Sequence, residues 1–171
     1  TVTAVPHTGY TFVSWSDGAL SASRTDTNVM ANNSVTAAFA LKPYEAWMNT
    51  FLAIVKLEDK APNADPDRDG IVNATEFVIG SDPTKSNAGN PLATIIENSQ
   101  VTFRFVRVKV AKDAGFASVI QLSDQLLPDS WTEAAPELVT VTDHGFTETV
   151  SVTLPMGSVG MRFARISVDV P

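Results

Sequence analysis

The sequence predicts a mainly β protein in three parts: a small β module over residues 1–41, a helix and an acidic loop over 42–90, and an antiparallel β-sandwich over 91–171. Three observations carry this. Both ends of the chain alternate apolar and polar residues between Gly, Asp and Asn clusters, the period of a half-buried strand. The middle spaces its apolar residues by three and four, the period of a helix. After residue 91 helical patterning is almost absent.

In the first part Val2, Val5, Tyr10, Phe12 and Trp15 form one alternating set and Val35, Ala37 and Phe39 another, with turn signals at HTG and SDG. The core expected there is Tyr10, Phe12, Trp15, Val35 and Phe39. From Pro43, YEAWMNTFLAIVKLED puts Tyr44, Trp47, Met48, Phe51, Leu52, Val55 and Leu57 on one stripe. This predicts one long helix with Pro43 in its first turn, its stripe packed on a β domain. KAPNA ends it, because Pro62 disfavours helix in the residue before it and cannot extend one itself. NATEFVIG predicts a short second helix, stopped by Gly80 and the turn sequence SDP. The runs LATIIEN, VTFRFVRVKV, FASVIQLSD, SWTEA, LVTVTD, FTETVSVTL and MRFARISVDV then read as six or seven strands. Phe103, Phe105 and Phe163 are expected in the core, and Arg104, Arg107, Arg162 and Arg165 on outward faces.

Composition narrows the functions. With 44% hydrophobic and 18% charged residues the chain folds, and no apolar run approaches the roughly 20 residues of a bilayer span. A net charge of -7 without a basic cluster repels nucleic acid. The absence of cysteine excludes thiolate catalysis, thiolate metal sites and disulfides. His7 and His144 fall in different parts, each beside a turn glycine, and no GxSxG, phosphate-loop or HExxH motif occurs, so no enzyme is expected. Alternation begins at Thr1 without a signal peptide, which reads as a piece of a longer protein whose upstream domains are its partners.

The chemistry concentrates in DPDRDGIVNATE. Asp65, Asp67 and Asp69 take the first, third and fifth positions of a twelve-residue loop, and Gly70, sixth, permits the sharp turn. A hard cation needs six to eight oxygens. Ile71 supplies a backbone carbonyl, Asn73 a side-chain or water-mediated contact, and Glu76, twelfth, both carboxylate oxygens. Four carboxylates in one loop repel each other unless a cation sits among them, and Ca2+ suits such a site better than Mg2+, which prefers a tight octahedron and keeps its waters. Asp82 is expected to cap the turn after the second helix, the alternative being an oxygen for the cation. The stretch PNADPDRDGIVNATEFVIGSDPT resembles the calcium loops of thrombospondin type 3 repeats and dockerins. Dockerins carry two such loops and one is present, so the resemblance implies calcium rather than cohesin docking.

The flanks resemble families as well. VTAVPHTGYTFVSWSDGALSAS with NNSVTAAFA is similar to the divergent internalin-B-type repeat, through Gly9, Tyr10, Phe12, Trp15, Asp17, Gly18, Val35, Thr36, Ala37 and Phe39. That implies a noncatalytic β spacer or adhesive module of bacterial surface and secreted proteins. The rest, from YEAWMNTF through DPDRDG and VIQLSD to MRFARISV, resembles the C-terminal accessory regions of large secreted proteins from Verrucomicrobia-like bacteria. Two functions are therefore expected: a calcium-stabilised structural or adhesive module outside the cell or on its surface, or a carbohydrate-binding accessory module with Trp131 as its platform.

Overall fold

The computed structural model describes residues 1–86, 89–155 and 163–171, so Met161 and Arg162 lie outside the described residues. The chain divides into two compact units, Thr1–Asn49 and Thr50–Pro171. Among the described residues no helix is long and apolar enough to cross a membrane.

In the first unit, β1 (Val2–Thr3) pairs antiparallel with β3 (Ser23–Arg24), and β2 (Tyr10–Trp15) with β4 (Ala37–Leu41), the second ladder shifting register between Phe12 and Ser14. Trp15 is its buried centre. The indole Nε1 donates to Ser21 O at 2.9 Å, and the Arg24 guanidinium lies 5.4 Å from the ring centroid, held by Asp17 at 2.8 Å and Asp26 at 2.7 Å. Gly9, at φ +81°, is required by close approach: Lys42 N–H donates to its carbonyl at 2.8 Å, and a Cβ there would lie 3.1 Å from Glu45 Cγ.

The expected core is only partly realised. Trp15 is buried and Phe12 and Val35 are half-buried, but Tyr10 and Phe39 remain 42% and 40% exposed. A two-stranded ribbon has too narrow a face to enclose several aromatic rings. The long helix is also corrected. α1 spans Pro43–Met48 and buries Tyr44 and Met48, then stops at Asn49. Asn49 and Thr50 interrupt it, an amide that competes for backbone partners followed by a β-branched residue. Beyond them Leu52, Val55 and Leu57 are exposed and Ile54 is buried, so the apolar stripe predicted through residue 57 does not form.

In the second unit, a 3-10 turn at Glu58–Lys60 leads through the acidic loop into α2 (Asn73–Ile79). Each of the seven predicted C-terminal runs contains a strand: β5 (Ala93–Glu97), β6 (Gln100–Val108), β7 (Ala117–Ser123), β8 (Thr132–Glu133), β9 (Val139–Asp143), β10 (Thr147–Pro155) and β11 (Phe163–Asp169), with α3 (Lys109–Asp113) between β6 and β7. They form two antiparallel sheets, ordered β5-β6-β10-β9 and β11-β7-β8. Phe103 and Phe105 of β6, Val150, Val152 and Leu154 of β10, and Ile120 and Leu122 of β7 are buried. Phe163 is half-buried. α2 contacts both β6 and β11, and its Phe77 meets Phe116 edge-on with ring centroids 5.1 Å apart. Each such side chain contributes about 1.5 to 3 kcal/mol by leaving water.

Arg107 departs from its expected outward position. It shares the parity of Phe103 and Phe105 and so enters the inner row, three residues from the exposed Arg104. There its Nε and Nη2 donate to Glu148 Oε2 at 2.9 and 2.8 Å, and its Nη1 to Ser118 O at 3.2 Å.

Candidate metal centre

Alternation along the loop turns Asp65, Asp67 and Asp69 to one side, while Arg68, at φ +63°, stays exposed. One carboxylate oxygen from each aspartate lies within 4.8 Å of the other two. The remaining chemistry of these groups shapes the loop. Gly70 N–H donates to Asp65 Oδ2 at 2.9 Å, Asp69 N–H to Asp67 Oδ1 at 3.2 Å, and Ile71 N–H to Asp69 Oδ1 at 2.8 Å. Gly70 stands at φ +91°, a conformation glycine adopts without strain.

These bonds leave Asp65 Oδ1 and Asp67 Oδ2 buried with no hydrogen-bond partner among the described residues. Burial pushes the Asp67 carboxyl above its ordinary value; the Asp69 N–H opposes this, and the Asp69 charge and the adjoining Asp65 carboxyl push it further. A hard cation fits this donor set, being all oxygen, anionic and short of positive charge.

At the far end of the loop, Asn73 and Glu76 are fully buried in α2. The Asn73 Nδ2 donates to Asp59 O at 2.9 Å and to Ala61 O at 2.8 Å. Its backbone N–H donates to Ala64 O, and that of Ala74 to Pro62 O, each at 2.8 Å. The Ser81 hydroxyl donates to Glu76 Oε1 at 3.0 Å. Gly80, at φ +74°, ends α2 with its N–H on Glu76 O at 2.7 Å.

The structure thus brings three of the predicted side chains together, and Glu76 is not a member of that 4.8 Å group. Asp82 takes the cap role expected of it: its Oδ1 accepts from Thr84 N at 3.0 Å and from Thr84 Oγ1 at 2.6 Å. Lys85, 2.6 Å away, and Thr84 lower the Asp82 carboxyl to about 2. Ser81 has no place in a ligand pattern read from the loop alone. Its signal is its position directly after the Gly80 stop, where the chain turns back on α2.

Trp131 is half-buried, and the Arg165 guanidinium sits 4.4 Å from its ring centroid, held by Gln121 Oε1 at 2.8 Å. One face of the ring is therefore covered. His7 and His144 are both exposed, and His144 Nε2 lies 3.0 Å from Thr149 Oγ1.

No curated protein and no solved structure matches the chain. A family model described as the divergent InlB B-repeat domain matches residues 1–43. The N-terminal module is thus similar to a repeat associated with bacterial surface proteins.

Proposed function

We propose that this chain is a noncatalytic, calcium-stabilised structural or adhesive module of a larger secreted or cell-surface bacterial protein. The observation that carries the calcium reading is the pair of buried, unpartnered oxygens Asp65 Oδ1 and Asp67 Oδ2 inside a cluster of three aspartates. Ca2+ would be held by the side chains of Asp65, Asp67, Asp69 and Glu76, the Ile71 carbonyl and Asn73, directly or through water, and it would supply the positive charge the cluster lacks. The protein's own residues do the rest: the aspartates fix the loop backbone, and Gly70 makes its turn. The likeness to thrombospondin type 3 and dockerin loops supports the same ion, and the repeat-like N-terminal module supports a surface setting.

An ion bound only to the folded form stabilises it by RT ln(1 + [Ca]/Kd), about 4 kcal/mol at a thousandfold excess over Kd. The melting temperature is expected to fall in chelator, and Asp67→Ala to abolish that difference. Equal melting of the unsubstituted chain in calcium and chelator overturns the reading. The carbohydrate-binding alternative rests on Trp131, and with Arg165 over one face of its ring the structural reading is preferred.

A further inference from the structure

We infer that Asn73, at the ninth loop position, serves the cation site as a positioning residue through its N–H donors, whichever group its buried Oδ1 faces. The inference rests on the calcium reading above and concerns how that site is held ready.

The side-chain amide meets two carbonyl oxygens, Asp59 O at 2.9 Å and Ala61 O at 2.8 Å. Only an NH2 group suits two acceptors, so the amide orientation is dictated by its partners: turned over, its oxygen would face both carbonyls. Two backbone bonds beside it, Asn73 N–H to Ala64 O and Ala74 N–H to Pro62 O, complete a clasp between the segment entering the loop and the first turn of α2. Asn73 is fully buried, so water does not compete for these partners. The clasp closes the base of the loop using protein groups alone. The ion then binds a loop whose ends are already joined, and much of the ordering cost is met before it arrives.

A ligand role without the clasp and the clasp role predict opposite results for Asn73→Asp. As a ligand, an aspartate adds a charged oxygen and tightens calcium binding. As a clasp, it loses both donors and sets a carboxylate against two carbonyls. Calcium titration by calorimetry is expected to show affinity at least about tenfold weaker for Asn73→Asp and for Asn73→Ala, the scale of two lost buried hydrogen bonds. Both variants are also expected to melt about 5 °C or more below the unsubstituted chain in chelator.

NMR of the unsubstituted chain in chelator covers the case in which the variants do not fold. The Asn73 side-chain NH2 protons are expected to exchange slowly before calcium is added and to keep their shifts afterwards. Tighter calcium binding by Asn73→Asp, or fast NH2 exchange in chelator, overturns the inference. Failure of the unsubstituted chain to bind calcium would sink the calcium reading while the chelator melts and NH2 exchange still decide the clasp.

Discussion

Two carboxylates of the second unit, buried Glu148 and half-buried Asp67, are held in opposite ways. Glu148 lies on the inner row of β10 among Val150, Val152 and Leu154, and meets Arg107 at 2.8 Å and Lys112 at 2.9 Å. Lys112 and Arg107 hold its carboxyl below the ordinary range. Asp67 lies among Asp65 and Asp69, and burial and those charges hold its carboxyl above it. One carboxylate has its counter-charge beside it, and the other lies among like charges. On the calcium proposal, negative charge is a stability device at the first place and a binding device at the second.

That contrast breaks most visibly at Glu148. Replacing it by Gln leaves Arg107, whose side chain is 13% exposed, without its partner. The loss is expected at about 3 kcal/mol, with the half-exposed Lys112 limiting it. Urea denaturation should give the same loss in calcium and in chelator; a loss confined to calcium would erase the distinction between the two sites. Asp67→Asn is the smaller and sharper change. It removes one crowded charge, so in chelator it is expected to raise stability by up to about 1 kcal/mol, while in calcium it lowers the melting temperature. A drop of equal size in both buffers would show that the cluster is not waiting for a cation.

The smallest effect is a slope. Glu148 has a depressed folded value, so its contribution is present above its ordinary 4.5 and is lost as pH falls through the lowered one. Asp82 acts with the same sign, from its ordinary 3.8 down to about 2. Stability measured against pH should therefore decline on the acid side below about 4.5, and Glu148→Gln should flatten that decline. An unchanged slope in the variant would show that Glu148 is not its source.

The strands and the loop were legible in the sequence for a shared reason: both depend on local alternation. Period two located all seven C-terminal strands, and the same alternation at Asp65, Asp67 and Asp69 gathered three carboxylates. The α1 prediction failed at Asn49, where two residues poor for helix outweighed an apolar stripe that continues past them. The outward placement of Arg107 fails because it shares the parity of Phe103 and Phe105, and Glu148 meets its charge in the inner row. The donors of Asn73 and the grip of Ser81 on Glu76 were not legible, since both depend on which segments lie beside α2.

The Asn73 clasp also bears on the order in which this chain acquires its structure. Its side-chain bonds join residues 14 and 12 apart in sequence, whereas β11 pairs with β7 across β8, β9 and β10, Ile166 meeting Ile120. Closing the shorter segment costs less chain entropy, so the loop and α2 are poised to form early in refolding, ahead of the sheet that β11 completes. A cation held there would then speed folding and leave the unfolding rate nearly unchanged.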